Sequence, residues 1–333
     1  MAPTFKALWI EETKEGNFTR SIKEIPLSTL PDNEVLIRVH YSSLNYKDGL
    51  SASGNKGVSR TYPFVPGIDA AGLVEEDRTG AFIPGTEVIV TGYDLGMNTF
   101  GGFGEYIRVP ANWVVPLPSS LSLFESMIVG TAGYTAAYGV RRLQRELITP
   151  NSGPVLVTGA TGGVGSMAVF QLSQLGYEVI AATGKLDKTD ELLNLGATSV
   201  IHRDEVYPEK DRLLNTSRFA AAIDTVGGEM LEAIIPQIFP DGAIACCGNI
   251  LGHSLNTNIY PFILRGLSLL GIDSGITKMP LRLKIWQDIA SISEPFPKEW
   301  VKTIDLNGLV AEIDLILAGK QQGRVVLKHA RSS

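Results

Sequence analysis

The pattern of hydrophobic and polar positions divides the chain into two regions with different predicted secondary structure. From residue 154 onward, short apolar runs alternate with stretches whose apolar residues recur at helical spacing. Such alternation predicts a parallel sheet with right-handed crossovers. The predicted strands cover residues 154–158, 177–182, 198–201, 219–223, 243–247 and 267–272, and the helices between them begin near residues 164, 187, 205, 229 and 259.

Residues 5–115 have a different pattern, in which alternating or β-branched runs typical of β-strands are interrupted at short intervals by proline and glycine. This favours a compact, barrel-like β domain. Near residue 120 two helices are predicted, the first capped by Ser122. After a helix near 280–292 and a proline-containing linker, the tail holds a helix at about 308–318 and a strand at 324–328. We expect that lone strand to rejoin the N-terminal β domain.

A glycine-rich turn follows the strand at 154–158. Gly159, Gly162 and Gly165 let the backbone turn sharply and approach a pyrophosphate, whose charge is met by free N–H groups at a helix N-terminus. Strand, glycine turn and helix form the context expected of a dinucleotide fingerprint. The spacing departs from G-x-G-x-x-G, so a plain tight turn between strand and helix is the alternative.

The second strand of this unit ends in Thr183-Gly184-Lys185. A fold that prefers NAD usually places an acidic residue there to hold the ribose 2′-hydroxyl. A hydroxyl, a backbone amide and an ammonium group suit a 2′-phosphate instead, so the sequence favours NADP. The alternative for Lys185 is a solvated loop lysine, and Asp187 is interpreted as the N-cap of the next helix.

Composition narrows the class of protein. The 333 residues carry a net charge of −6, which gives no global attraction for nucleic acid or an anionic membrane. The N-terminus lacks the layout of a signal peptide, no run of 18 apolar residues occurs, and the two cysteines are adjacent. A cytoplasmic enzyme of two domains is expected.

Several motifs together resemble one superfamily. Residues 43–48, 66–72, 101–106 and 130–136 are similar to the zinc-independent quinone oxidoreductase branch of the medium-chain dehydrogenases/reductases. Within that branch, the motifs Leu-Asn-Tyr-Lys-Asp-Gly, Ile-Asp-Thr-Val-Gly-Gly, Pro-Phe-Ile-Leu-Arg-Gly and Leu-Gly-Ile-Asp-Ser resemble YhdH-type acrylyl-CoA reductases. The resemblance implies an α/β fold, with a GroES-like β-barrel catalytic domain at 1–121 completed by 296–333, and a Rossmann NADP-binding domain at 122–295.

The same resemblance indicates whether the chain has the ligands for catalytic zinc. Zinc-dependent members of the superfamily bind catalytic zinc through a cysteine and then a histidine in a Pro-Gly-His-Glu motif. Here Asn45 and Ile68 stand at those positions, and neither is a ligand for tetrahedral zinc. We therefore expect no metal.

Without a Lewis acid, reduction of an activated C=C bond is the favoured chemistry. Hydride goes to the β-carbon, hydrogen-bond donors stabilise the enolate charge on the carbonyl oxygen, and an acid or water protonates the α-carbon. We expect Tyr46 beside the nicotinamide and the alkene, Asn45 as an orienting donor, and Asp48 as either a proton-relay member or a structural cap. The alternative is a capped turn in which Asn45 and Asp48 bond backbone groups. Asp69 is interpreted as a structural hydrogen-bonding residue.

The resemblance also implies cofactor contacts. The pyrophosphate is expected at Thr161, Gly162, Gly163 and Val164, and the 2′-phosphate at Thr183, Gly184 and Lys185, with Arg203 against the adenine or the 2′-phosphate. Gly248 and Asn249 lie where a Rossmann ligand passes. Ile263 and Ser274 are expected to flank the nicotinamide, and Arg324 either binds an anionic part of a ligand or anchors the tail strand.

The activity expected from this resemblance is NADPH-dependent reduction of acrylyl-CoA to propionyl-CoA. An NADPH:quinone or general enone oxidoreductase is the first alternative, and a non-catalytic NADPH-binding sensor is the second. For the coenzyme A phosphates, the available cations are Lys47, Lys56, Arg60 and Arg265. A homodimer paired through residues 268–272 is also expected, which a monodisperse monomer in sedimentation would contradict.

Overall fold

A computed structural model describes residues 3–208 and 212–330. Its strands, in chain order, are β1 (Thr4–Glu12), β2 (Phe18–Pro26), β3 (Val35–Ser43), β4 (Asp69–Asp77), β5 (Glu87–Thr91), β6 (Tyr106–Val109), β7 (Val115–Pro116), β8 (Val155–Val157), β9 (Val179–Thr183), β10 (Ser199–His202), β11 (Phe219–Asp224), β12 (Ile238–Cys246), β13 (Ser268–Gly271), β14 (Val301–Ile304) and β15 (Arg324–Lys328). Its α-helices are α1 (Tyr46–Ala52), α2 (Leu123–Arg145), α3 (Gly163–Gln174), α4 (Thr189–Asn194), α5 (Gly228–Ile234), α6 (Tyr260–Arg265), α7 (Met279–Ala290) and α8 (Leu309–Leu317). Along these described residues, no helix is both long and apolar enough to cross a membrane.

The chain forms two compact units. The first contains residues 1–131, 275–291 and 297–333, and the second contains residues 132–274 and 292–296. Residues 122–131 and 275–291 thus group with the β-rich unit, whereas the sequence analysis assigned them to the Rossmann domain. The predicted boundaries at 121/122 and 295/296 stay a prediction.

The first unit is built on a seven-stranded sheet. Its strand order is β14-β15-β3-β4-β5-β7, with β6 also pairing with β3, and β1 and β2 form a separate antiparallel pair. The last strand, β15, pairs antiparallel with β3 and places Val326 opposite Ser43. The prediction that the tail strand rejoins the N-terminal β domain is therefore confirmed. Because of this pairing, the last segment of the chain lies beside the residues that lead into α1.

The second unit is a six-stranded sheet in the order β10-β9-β8-β11-β12-β13, and every pairing in it is parallel. The order reverses between β8 and β11, which is the Rossmann arrangement, and the predicted parallel sheet is confirmed. The prediction of an α-helix beginning near residue 205 is wrong for the described residues. Only a short 3-10 helix, Arg203–Val206, follows β10 there, and residues 209–211 lie outside the described residues. β13 stands at one end of the described strand order, and the homodimer expected through it stays a prediction.

Close packing explains the glycine spacing after β8. Gly159 has a φ of +59°, in the left-handed region that favours glycine. A Cβ atom on Gly165 would lie 2.2 Å from the carbonyl oxygen of Gly159. The first turn of α3 therefore packs directly against the end of β8, and this backbone approach requires glycine at both positions.

The two helices predicted near residue 120 correspond to the two parts of α2. Ser122 caps the first part, since its Oγ accepts from the Glu125 amide at 3.2 Å while the Glu125 carboxylate accepts from the Ser122 amide at 2.8 Å. This capping box confirms the predicted start. Gly130 interrupts the helix with φ 48° and ψ −158°. The interruption occurs where α2 meets buried polar groups of the first unit.

Candidate active site

The candidate catalytic residues lie in the first unit, where β3 ends and α1 begins. Asn45 has an extended backbone and is the N-cap of α1, and Asp48 occupies the third helical position. One carboxylate oxygen of Asp48 accepts from the Asn45 amide and the other accepts from the Ile68 amide, each at 2.8 Å. The capped turn considered in the sequence analysis is therefore present. The proton-relay role of Asp48 stays a prediction.

The environment of Asp48 changes its acidity. The side chain is fully buried, and burial, reinforced by the nearby charge of Asp69, raises the pKa of Asp48 to about 7. The two backbone hydrogen bonds and the Asn45 side chain oppose this change. Asp48 is consequently a buried carboxyl group that titrates near neutral pH.

Asp69, at the start of β4, is the acceptor on which this part of the unit converges. Its carboxylate accepts from Ser43 Oγ at 2.6 Å, from Asn45 Nδ2 at 2.8 Å, and from Thr131. Thr131 donates both its backbone N–H, at 2.9 and 3.0 Å to the two oxygens, and its hydroxyl, at 2.6 Å. The structural hydrogen-bonding interpretation of Asp69 agrees with these contacts.

Arg324 supplies a positive charge to the same region. It is buried, and its Nε donates to the carbonyl oxygen of Ile128 at 2.8 Å. Its Nη2 has no hydrogen-bond partner among the described residues. Burial lowers the pKa of Arg324, and the charges of Asp69 and Asp48 oppose that change. The bond to Ile128 matches the anchoring alternative for Arg324, and its role in ligand binding stays a prediction.

Tyr46 and Lys47 are the exposed members of the predicted cluster. The Tyr46 side chain, on the first helical residue of α1, is 45% exposed, and Lys47 beside it is also exposed. Asn45 and Asp48 face inward instead. The structure therefore separates the cluster into two residues that hold the turn and two that are open to a ligand.

The metal-ligand positions of the zinc-dependent relatives contain no ligand side chains here. Asn45 Nδ2 donates to Asp69, and Ile68 is buried and presents its backbone N–H to Asp48. Over residues 3–208 and 212–330, no group of three or more His, Cys, Asp or Glu side chains could hold a metal ion. The expectation of a metal-free site stays a prediction.

In the second unit, the predicted pyrophosphate residues form the entry to α3. Gly162 is the extended N-cap, Gly163 and Val164 begin the helix, and Thr161 is buried just before them. The Gly162 amide donates to the Gly159 carbonyl oxygen at 2.9 Å. The amides of Gly163 and Val164, in the first turn, have no intrahelical acceptor and suit an anion. The described geometry fits a dinucleotide pyrophosphate.

The predicted 2′-phosphate residues come together because β9 and β10 are parallel neighbours that end at the same sheet edge. Thr183 pairs with His202 in register, and its Oγ1 lies 3.4 Å from Thr161 Oγ1 and accepts from the Lys185 amide at 3.0 Å. A Cβ atom on Gly184 would lie 3.3 Å from Arg203 Nε, so the guanidinium group covers that glycine. Asp187 is not an N-cap, because it lies inside the 3-10 helix Leu186–Lys188.

The remaining predicted cofactor residues follow β12 and β13. A Cβ atom on Gly248 would lie 1.8 Å from Thr225 O, and one on Gly227 would lie 3.0 Å from Asn249 Cα, so this segment packs on the turn after β11. Ser274 Oγ accepts from Thr135 Oγ1 at 2.7 Å. Ile263, on α6, is 63% exposed. Their roles in cofactor binding stay predictions.

Two of the cations considered for coenzyme A have other partners within the protein, and their role in coenzyme A binding stays a prediction. The guanidinium group of Arg265 donates to the carbonyl oxygens of Pro236, Ile238 and Asn215, at 2.8, 3.0 and 2.5 Å. It therefore joins backbone segments of the second unit. Lys56 pairs with the Glu12 carboxylate at 2.6 Å.

Comparison with known proteins identifies the family. The profile described as "Alcohol dehydrogenase GroES-like domain" matches residues 31–119, and the profile described as "Zinc-binding dehydrogenase" matches residues 163–284. Acrylyl-CoA reductase AcuI of Ruegeria pomeroyi is 41% identical over 331 residues, which cover 97% of this chain and 98% of that protein. The chain belongs to the medium-chain dehydrogenase/reductase family.

Other relatives place the chain in the YhdH-type branch of these oxidoreductases. YhfP of Bacillus subtilis, whose name assigns it provisionally to the quinone oxidoreductases, is 42% identical over 98% of this chain and its own full length. The YhdH oxidoreductase of Salmonella enterica, solved in complex with NADP, superposes with a TM-score of 0.92 at 38% identity, covering 97% of this chain and 99% of that one. The structure of B. subtilis YhfP with NAD bound superposes with a TM-score of 0.94 at 41% identity, covering 98% of this chain and 100% of that one. The predicted family and fold class are confirmed.

Sequence analysis assigned no role to three residues that complete the buried site. Ser43 and Thr131 donate to Asp69, and Gly130 leaves the space in which they meet. All three were inside the motifs that carried the resemblance. Their function could not be assigned from spacing, because the partners are separated by 26 and 62 residues along the chain.

We expect Gly130→Ala to destabilise the protein by about 2–3 kcal/mol or more, because its backbone region is nearly restricted to glycine. The new Cβ atom would also lie 2.4 Å from Ser43 Oγ and 2.6 Å from Asp69 Oδ2. Gly139→Ala in the same helix is the matched control, since its Cβ would make ordinary contacts at 3.6 Å. That control should be neutral or stabilising by up to about 1 kcal/mol. Equal effects of the two variants in urea unfolding would contradict this account.

The raised pKa of Asp48, about 7 against an ordinary 3.8, predicts a pH dependence of stability. Between these values the folded protein holds a proton that the unfolded chain releases, so this contribution falls as pH rises. We expect the free energy of unfolding of the wild type to fall relative to Asp48→Asn, by a few kcal/mol, between about pH 4 and pH 8. Urea unfolding of both proteins across this range measures the difference. Parallel curves would contradict it.

Proposed function

We propose that the chain catalyses NADPH-dependent reduction of the activated C=C bond of a small enoyl thioester, with acrylyl-CoA reduced to propionyl-CoA. The observation that carries the proposal is an exposed tyrosine beside a buried polar cluster, in a chain 41% identical to an acrylyl-CoA reductase over nearly its whole length. The family contributes the class of chemistry, and the turn at Asn45–Asp48 contributes the donors.

The cofactor part of the proposal is supported by the second unit. The amides at the start of α3 suit a pyrophosphate, while Gly184, Lys185 and the exposed guanidinium group of Arg203 suit a 2′-phosphate. The Salmonella YhdH structure contains NADP, whereas the Bacillus YhfP structure contains NAD. We assign NADPH here because β9 ends at Thr183, which Gly184 and Lys185 follow, with no acidic residue at the strand end, and because Arg203 follows the neighbouring strand β10.

Bound NADPH supplies the hydride, which is delivered to the β-carbon of the alkene. In this proposal, Tyr46 donates a hydrogen bond toward the thioester carbonyl oxygen, where negative charge develops. Lys47, exposed beside it, adds a positive charge near the same oxygen. Asn45 and Asp48 keep the turn in place, and a water or a side chain at this turn provides the proton for the α-carbon.

A quinone or general enone oxidoreductase is the second candidate. It is favoured by the identity to YhfP, which is as high as that to AcuI. The hydride chemistry is shared by both candidates, so the acceptor distinguishes them. A non-catalytic NADPH-binding sensor is the third candidate.

Assays of NADPH oxidation by the purified protein, with acrylyl-CoA and a simple quinone in parallel and NADH as the cofactor control, test the proposal. We expect acrylyl-CoA with NADPH to be strongly preferred. Tyr46→Phe should lower kcat by about tenfold to a hundredfold, because it removes a donor to the developing charge. Turnover of the quinone alone would establish the second candidate. Tight NADPH binding without oxidation, unaffected by Tyr46→Phe, would establish the third.

The 2′-phosphate assignment predicts that Arg203→Ala raises the KM for NADPH by about tenfold or more and leaves the KM for NADH unchanged, because only NADPH carries the phosphate. Arg218→Ala is the matched control, since that guanidinium group donates to Glu205 O and Gln237 Oε1 in the same unit. Steady-state kinetics with both cofactors measures the change. An equal effect of Arg203→Ala on the two cofactors would contradict the assignment.

A further inference from the structure

The Asp69 carboxylate joins three segments that are distant in sequence. Ser43 at the end of β3, Asn45 at the entry to α1, and Thr131 after the interruption in α2 all donate to it. Every one of these contacts has an N–H or O–H group on the partner and an oxygen on Asp69. An ionised carboxylate, which accepts at both oxygens and donates nothing, satisfies this set, whereas an amide would place two hydrogens against donors.

Arg324 and Gly130 lie beside the Asp69 carboxylate in the interior. A Cβ atom placed on Gly130 would lie 2.6 Å from Asp69 Oδ2 and 2.9 Å from Arg324 Nη2. Both groups therefore border the space that residue 130 leaves open, and the charges of Asp69 and Arg324 interact. A buried charge is tolerated when it is paired and hydrogen-bonded.

The contacts of Asn45 fix the direction in which its amide group points. Its Nδ2 lies 2.8 Å from Asp69 Oδ2, 3.3 Å from the Ser43 carbonyl oxygen and 3.4 Å from Asp48 Oδ2. All three acceptors are inside the protein. The hydrogens of Asn45 thus point inward, while the next residue, Tyr46, carries the exposed side chain.

We propose that Asp69 is a positioning residue for the reaction: by holding the Asn45 amide group, it fixes the first turn of α1 and thereby the placement of Tyr46. Asn45 acts through this bond and does not touch the substrate. The inference rests on the proposed function for its kinetic consequence, and the bond itself can be tested without turnover.

A reciprocal exchange tests the bond. Asp69→Asn places an amide against the Asn45 amide, and Asn45→Asp places a second carboxylate against Asp69. The double variant Asp69→Asn/Asn45→Asp restores a donor facing an acceptor with the direction reversed, and aspartate is also a favoured N-cap. Ser42→Ala is the matched control, because it removes a donor to the Asp69 backbone carbonyl oxygen and leaves every contact of the Asp69 carboxylate in place.

We expect each single variant to lose up to about a hundredfold in kcat, since a small displacement of a catalytic group has that effect. The double variant should recover at least about tenfold. The KM for NADPH should stay constant throughout, and Ser42→Ala should retain most of the wild-type kcat. Wild-type kcat in Asp69→Asn would overturn the proposal. So would a double variant no more active than the poorer single variant, because Asn45 or Asp69 would then act directly on the reactants.

Urea unfolding of the wild type, the two single variants of Asp69 and Asn45, and the double variant separates this inference from the proposed function. Recovery of stability in the double variant relative to both singles supports the bond even when a single variant is too unstable to assay. Additive losses of stability would overturn it. If the wild type turns over none of the acceptors tested, the proposed function fails, and the unfolding cycle still decides whether Asp69 and Asn45 are coupled.

Discussion

A buried charge cluster determines much of the architecture of the first unit. Asp48 and Asp69 are two carboxylates in the interior with one guanidinium group, that of Arg324, close to them. Removing such groups from water is costly unless hydrogen bonds and opposite charge replace the solvent. The hydroxyls of Ser43 and Thr131 and the backbone amides of Asn45, Ile68 and Thr131 serve this purpose. Strand ends, a helix entry and a helix interruption all meet where those donors are needed.

In the second unit, main-chain geometry positions the candidate cofactor residues. The parallel strands β8, β9 and β10 end at one sheet edge, so the residues that follow them are neighbours, and Thr161 Oγ1 lies 3.4 Å from Thr183 Oγ1. Glycine permits the close approaches, as between Gly165 and Gly159 and between Gly248 and Thr225. The amides at the start of α3 and the cations Lys185 and Arg203 therefore lie where strand pairing places them. The candidate cofactor residues of the second unit depend on strand register, whereas the candidate catalytic residues of the first unit depend on hydrogen bonds to buried carboxylates.

The difference explains what could be predicted from sequence. Alternating strand and helix patterns and the glycine turn predicted the Rossmann sheet, because the relevant interactions are local or repeat along the chain. The tail strand could be recognised as a strand for the same reason, but its partner β3 is distant in sequence and could not be identified. The Asp69 cluster could not be assembled, since Ser43, Thr131 and Arg324 are far apart in the sequence and no spacing rule connects them. The motifs marked most of those residues as family features without revealing that they meet. The pKa of Asp48 was equally out of reach, because it depends on burial and on a partner 21 positions away.

The location of Arg324 also has a consequence for how the protein is made. Synthesis runs from the N-terminus, so Asp48 and Asp69 leave the ribosome long before the strand that carries their counter-charge. Until β15 pairs with β3, the two acids have no guanidinium group beside them, and the sheet lacks one of its central strands. The β-rich sheet is therefore complete only after β15 has been synthesised, whereas all six strands of the Rossmann sheet precede β15 along the chain. The order of the strands thus allows the Rossmann sheet to form before the β-rich sheet has all of its strands.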